Sequence, residues 1–249
     1  MLNLSKLTKT VSMLAVAATL TFSAPMAQAE KTNFTKTEIQ QIVEEYIKQN
    51  PEVILKSVSA YQDRSATESR ADAMATQHEA IFNDPDTPTF AKGAADVTIV
   101  EFFDYNCGYC KRAYPVIQAL MEEDKNLRFI FKEMPILHET SDLAAKWALA
   151  AHKQDKYLEF HHALMQHSGK YDANTMEKIS ESLDLNIVRM KQDANSTEIE
   201  KALVKNRNLA RALAISGTPA FIVNTEVIPG MISYEEMKQV IKEQRALLK

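Results

Sequence analysis

Cys107-Gly108-Tyr109-Cys110 holds the only two cysteines of the chain, directly after the strand-like run Val97-Thr98-Ile99-Val100-Glu101-Phe102-Phe103. A helix that begins at the first cysteine sets its sulfur among unpaired backbone N–H groups, at the positive end of the helix dipole. Both stabilise a thiolate. The second cysteine then lies less than one turn further in, within reach of a disulfide. An ionised thiol with a resolving neighbour is the apparatus of thiol–disulfide exchange. Zinc normally needs two further Cys or His ligands at characteristic spacing, and no second Cys pair or suitably spaced His pair stands at a convincing place. A stapling disulfide across so short a loop removes little unfolded-state entropy. Redox chemistry is therefore the expected use of the pair.

Lys6 and Lys9, the apolar run Val11 to Leu20 and the small-x-small site Ala27-Gln28-Ala29 have the anatomy of a secretory signal peptide over residues 1–29. The apolar run is shorter than the roughly 20 residues of a spanning helix. Export to the periplasm with cleavage before Glu30 is expected. A net charge of −4 gives no reason to propose nucleic acid as a partner. With 45% hydrophobic residues the chain can bury a core, and only five glycines point to helices rather than a turn-rich β protein. Two cysteines are too few for a disulfide-stapled scaffold, which leaves the pair free to react.

Residues 30–62 read as a helical oligomerisation segment. Thr35 and Glu38 form a capping box, and Phe34 and Ile39 take the staple positions. Ile39, Ile42, Val43, Tyr46 and Ile47 then lie on one helical face. Asn50-Pro51 separates this helix from a second, with Ile54, Leu55, Val58 and Tyr61 on its apolar face. Residues 63–80 lack glycine and proline, carry Met74 as their one large apolar side chain, and read as a polar spacer. An apolar face held off by such a spacer needs a cover, and copies of the chain packing together supply it, as a dimer or a trimer.

From residue 81 to 249 the pattern becomes mixed. Val97 to Phe103 and Leu127 to Lys132 read as strands, with a helix from Cys107 to about Glu123 between them. Helical patterns fill about 136–214. Gly217-Thr218-Pro219 leads into strands at Ala220 to Val223 and Val227-Ile228, and Ser233 with Glu236 caps a last helix. The order is that of an α/β fold with helices packed on a central sheet.

Glu101-Phe102-Phe103-x-x-x-Cys107-x-x-Cys110, the later Thr218-Pro219 and the helical insertion between the halves of the sheet resemble the DsbA-like branch of the thioredoxin superfamily. The resemblance is nearest to the ScsC and Com-antigen group, some of whose members carry an N-terminal oligomerisation segment. It implies Cys107 as the exposed nucleophile and Cys110 as the buried resolving thiol. Pro219 is implied as a cis-proline, and Thr218, Gly108 and Tyr109 as contacts for a bound client. Glu101 falls where the family places a buried acid, and Lys132 where a lysine can accompany it. A carboxylate there can take the Cys110 proton, or it can simply pair with Lys132.

Two departures from DsbA bear on activity. The dipeptide between the cysteines lacks a histidine, which implies less thiolate stabilisation, and the residue before the proline is Thr218 rather than valine. Both favour a disulfide isomerase acting on unfolded or misoxidised exported proteins, with a membrane redox partner to reset the site. The alternatives are a DsbA-type dithiol oxidase and a copper-tolerance protein holding Cu(I) between Cys107 and Cys110; no other cofactor or metal is expected. His161, His162 and His167 read as the wet face of an ordinary helix. Phe103, Tyr105, Tyr109 and Met134 are either an apolar rim for clients or plain packing.

Overall fold

The computed structural model describes residues 33–248, so the signal peptide expected at 1–29 lies outside the described residues. The chain divides into two units, Met1–Ser57 and Val58–Lys249. In the first, Thr35 opens helix α1 (Lys36–Gln49): its hydroxyl accepts from the Glu38 amide at 3.3 Å, while the Glu38 carboxylate accepts from the Thr35 amide at 2.8 Å. No residue of α1 is buried. Phe34, Ile39, Ile42, Val43, Tyr46 and Ile54 are exposed and Ile47 is half-buried.

Helix α2 spans Glu52–Thr76, with Val58 and Tyr61 exposed along it. The expected spacer is thus helical up to Thr76, and its polarity keeps residues 64–72 exposed. Its end is not a spacer. Met74, together with Ile81 of the short helix α3 (His78–Phe82), buries in one cluster with Val100, Phe102 and Ile130. The packed domain therefore begins before residue 81, because Met74, flanked by Ala73 and Ala80, docks the last turn of a polar helix.

The sheet has five strands in the order β1-β3-β2-β4-β5: β1 (Thr89–Ala91), β2 (Val97–Phe103), β3 (Leu127–Glu133), β4 (Ala220–Val223) and β5 (Glu226–Pro229). β2 and β3 are parallel, joined by the crossover helix α4 (Gly108–Glu123), and every other pairing is antiparallel. Edge strand β1, three residues long, has too little pattern to be seen in the sequence.

Alternation along the central strands sorts the core into two faces. Ile99, Phe103, Leu127, Phe129 and Phe131 point to one, where the buried stripe of α4, the helices α5 (Glu139–His152) and α6 (Tyr157–Gln166), and α10 (Tyr234–Ala246) pack. Val100, Phe102, Ile130 and Ile222 point to the other, covered by Met74, Ile81 and the end of α9 (Thr197–Ala212). Between α6 and α9 lie α7 (Ala173–Ser182) and α8 (Ile187–Ala194), capped by Asp172 and Asn186 through their side chains. Helix α8 is not distinct in the sequence pattern.

Candidate active site

Cys107 is the N-cap of α4, and its sulfur accepts a hydrogen bond from the Cys110 amide at 3.2 Å. The Thr218–Pro219 peptide is cis, and the Cys107 thiol donates to the Thr218 carbonyl at 3.2 Å. The Thr218 hydroxyl is buried beside this loop with no partner of its own. Hydrogen bonding from the Cys110 side chain holds the Cys107 thiol down at about 5, against the opposing effect of burial. The amides of Cys110 and Tyr109 add to it, and so does the Thr218 hydroxyl, which is unbonded here but near enough to turn to an ionised sulfur. Strong thiolate stabilisation is thus reached without a histidine between the cysteines.

The expected exposed nucleophile is 3% exposed, because the Thr218–Pro219 loop lies against its sulfur. Its surroundings are open: Asn106 and Gly108 are exposed, and Tyr109 is 60% exposed with the Arg112 guanidinium 4.3 Å from its ring centre. A Cβ at Gly108 would meet the Arg112 guanidinium at 3.5 Å, an ordinary contact. Both thiols are free, and Cys110 is fully buried, with burial pushing its thiol far up.

Glu101 sits beneath the pair on the same face of the sheet, 2% exposed, with no hydrogen bond to either oxygen. Burial raises its carboxyl to about 8, and the Cys107 charge adds to the rise. Lys132 does not accompany it. In the parallel register Glu101 stands opposite Phe131, so Lys132, one residue on, points through the other face. There its ammonium donates to the Ala80 carbonyl and the Thr87 hydroxyl, both at 2.8 Å, with Asp84 at 3.7 Å. Lys132 ties the α3–β1 connection to the sheet and has no contact with the redox site.

The second ionisable group on the cysteine face is Glu133, which the sequence reading left outside its strand. It is fully buried, and one of its oxygens accepts from Tyr105 and Tyr157 at 2.9 Å each. The alternation Leu127, Phe129, Phe131, Glu133 was the signal available. His161 is not on a wet face: it is fully buried among Phe103, Phe131, Tyr105, Tyr114 and Tyr157, with Nδ1 2.9 Å from the Tyr105 hydroxyl. Phe103, Tyr105 and Met134 are buried too, so of the four rim candidates only Tyr109 is available.

Buried Asp104 joins the cysteine loop to the insertion. One carboxylate oxygen accepts from the Asn106 amide and the Ser141 hydroxyl at 2.7 Å, the other from the amides of Ile136 at 2.8 Å and Leu137 at 2.9 Å. Ile136 and Leu137 are thereby held exposed on the loop that Asp104 ties to the cysteine segment. Among the described residues no group of three or more His, Cys, Asp or Glu side chains is disposed to hold a metal.

Residues 83–243 match the family model described as Thioredoxin, and residues 36–68 match that of the copper resistance protein ScsC N-terminal domain. A thioredoxin-like oxidoreductase from Silicibacter pomeroyi is 38% identical and superposes with a TM-score of 0.65 over 68% of this chain and 97% of that one. A linker-deleted variant of Proteus mirabilis ScsC is 27% identical, with a TM-score of 0.69 over 87% of this chain and 99% of that one. The Na(+)/H(+) antiporter NhaA 1 of Salinispora arenicola is 28% identical over 149 residues, 59% of this chain. The chain spans only 23% of that antiporter's length.

Proposed function

Because the chain belongs to the thioredoxin family, as a DsbA-like member with an ScsC-type N-terminal segment, we propose that it is an exported thiol–disulfide oxidoreductase acting on folding proteins, mainly as a disulfide isomerase. The observation that carries the exchange chemistry is the Cys107 sulfur, hydrogen-bonded at the N-cap of α4 and poised for ionisation beside the Thr218–Pro219 loop, while Thr218 before the proline and the exposed face of α1 support the isomerase part of the reading.

The Cys107 thiolate attacks one sulfur of a client disulfide. A Cys107–client disulfide forms, the client's own bond breaks, and a client thiolate leaves. In isomerisation that thiolate attacks a second client disulfide, and the thiolate so freed attacks the mixed disulfide and restores Cys107, with no net electron transfer. In the escape route Cys110 attacks the Cys107 sulfur, the client leaves as a dithiol, and the two electrons it gained leave Cys107–Cys110 oxidised. A membrane redox partner then resets the pair.

Cys110 holds its proton tightly and needs a base to resolve the intermediate. Glu101 is that base. The Cys107 charge helps to keep its carboxyl neutral. Once the thiolate is consumed in the mixed disulfide, that contribution vanishes and the carboxyl ionises more readily, at the step that needs it.

Tyr109, Ile136 and Leu137 offer apolar contact to an unfolded client, and the amide edge of Thr218 offers strand pairing. The exposed faces of α1 and early α2 associate between copies, presenting several redox sites to one client. Refolding of scrambled and of reduced ribonuclease by wild type, Cys107→Ser and Ile42→Asp/Tyr46→Asp tests this. Activity on the scrambled substrate, lost in Cys107→Ser with the oligomer intact and lost in Ile42→Asp/Tyr46→Asp together with the oligomer, is the expected result. Full activity on the reduced substrate by a monomeric Ile42→Asp/Tyr46→Asp protein identifies an oxidase instead. Stoichiometric Cu(I) capture that blocks Cys107 alkylation, without refolding activity, identifies a copper carrier.

A further inference from the structure

Behind the cysteines, on their own face of the sheet, a row of buried polar groups plays no part in the exchange steps above. Tyr105 and Tyr157 reach one oxygen of Glu133 at 2.9 Å, and the Tyr105 hydroxyl also lies 2.9 Å from His161 Nδ1. Each end of this row is an atom without a partner: the second oxygen of Glu133 and His161 Nε2. His161 further lines a cavity of about 490 Å³ whose wall includes the exposed Lys92, Glu122 and Glu159.

A phenol has one hydrogen. If Tyr105 gives it to Glu133, His161 must carry its hydrogen on Nδ1 and donate to the phenol oxygen, and Glu133, accepting two hydroxyls, is a carboxylate. If Tyr105 gives it to His161, the ring hydrogen is on Nε2, and the hydrogen between Tyr105 and Glu133 belongs to the carboxyl. The two patterns differ by one proton, and the imidazole is neutral in both.

We propose that Glu133, Tyr105 and His161 form a proton relay to the redox site, in which Glu133 exchanges its proton with the cavity through the His161 ring and thereby sets the charge next to Glu101. A proton arriving at Nε2 releases the Nδ1 hydrogen to the Tyr105 oxygen, and the phenol's own hydrogen passes to Glu133. Nothing is oxidised or reduced, and the change of charge falls on Glu133 alone. Glu133 stands opposite Phe103 and Glu101 opposite Phe131 in the parallel pair, so the two carboxyls are diagonal neighbours on one face. Two carboxylates this close in a low-dielectric interior do not both ionise readily. Protonating Glu133 therefore frees Glu101 to take the Cys110 proton as its base.

The groups facing Glu133 are Glu101 on β2, Asp104 and Tyr105 just beyond it, and Tyr157 and His161 on α6. Facing His161 are Tyr114 on α4 and, on its own helix, Tyr157 and His162, with Lys92, Glu122 and Glu159 on the wall of the cavity. Burial keeps His161 down at about 3 and pushes Glu133 well up, so the ring stays neutral while the carboxyl waits for its proton.

The relay deepens the proposed exchange mechanism and rests on it, yet its test needs no exchange activity. In the reduced full-length protein, ¹⁵N shifts of the His161 ring and the ¹³C shift of the Glu133 carboxyl are followed from pH 5 to 10. The ring is expected to move from the Nε2–H to the Nδ1–H tautomer with the midpoint of the Glu133 carboxyl, without passing through imidazolium. Glu133→Gln is expected to hold a single tautomer at every pH. A wild-type ring that keeps one tautomer throughout, or that becomes imidazolium, overturns the proposal and leaves the exchange function standing. As a kinetic readout, His161→Phe is expected to shift the pH profile of mixed-disulfide resolution while leaving Cys107 alkylation unchanged, and an unshifted profile counts against the relay.

Discussion

The Cys107 sulfur and the Thr218 carbonyl oxygen lie 3.2 Å apart, and the carbonyl accepts the thiol hydrogen only while there is one to accept. Ionisation removes that bond, and the buried, unbonded Thr218 hydroxyl is then the group able to turn toward the negative sulfur. A hydrogen bond to a charged group contributes roughly 1.5–3 kcal/mol, or about one to two units of pKa. Thr218→Val is expected to raise the Cys107 midpoint by about that much, read from the pH dependence of iodoacetamide alkylation.

The thiolate also links redox state to stability. Cys107 is held at about 5 in the folded protein, below its ordinary 9.0, so its contribution is fully present above the ordinary value and is lost as pH falls through 5. The Cys107–Cys110 disulfide has no thiolate to stabilise. Thermal unfolding is expected to show the reduced protein gaining on the oxidised one as pH rises from 5 toward 9. A difference independent of pH would contradict the electrostatic account.

Glu101 has the opposite sign. Its carboxyl is raised from 4.5 to about 8, so folding is opposed increasingly as pH climbs between those values. Glu101→Gln is expected to match wild type in stability near pH 4.5 and to exceed it above pH 8 by a few kcal/mol in chemical denaturation. The same variant should resolve a Cys107–client mixed disulfide roughly 10- to 100-fold more slowly, toward the lower end of general-base effects.

Lys132→Met should do the reverse. Removing a fully buried ammonium strands the Ala80 carbonyl and the Thr87 hydroxyl, and leaves Asp84 with Lys205 alone at 2.9 Å. A stability loss of roughly 3 kcal/mol is expected in denaturant titration. The alkylation profile of Cys107 should stay where it was, since the lysine lies behind the sheet.

These four residues show how far the sequence carries. The Cys107 helix start, the strand before it and the Thr218–Pro219 turn are local patterns, each readable from spacing and capping rules, and the structure places them together. Lys132 and Glu133 are adjacent in sequence and lie on opposite faces. Ending the strand one residue early hid the acid that shares the cysteine face, and the resemblance alone had set the lysine beside Glu101. His161 shows the same limit in a helix: its position against five aromatic rings depends on how α6 crosses α4 and the sheet, which periodicity within α6 does not report. The 63–80 stretch misled for a different reason, since Met74, flanked by Ala73 and Ala80, docks a turn that looks wholly solvated.

The most direct test is the ionisation of Cys107 itself, followed by thiolate absorbance in the reduced protein with Cys110→Ala as a control on assignment. A transition centred near pH 5 in the wild type is the predicted result. A sulfur still protonated at pH 8 would contradict the account at its root.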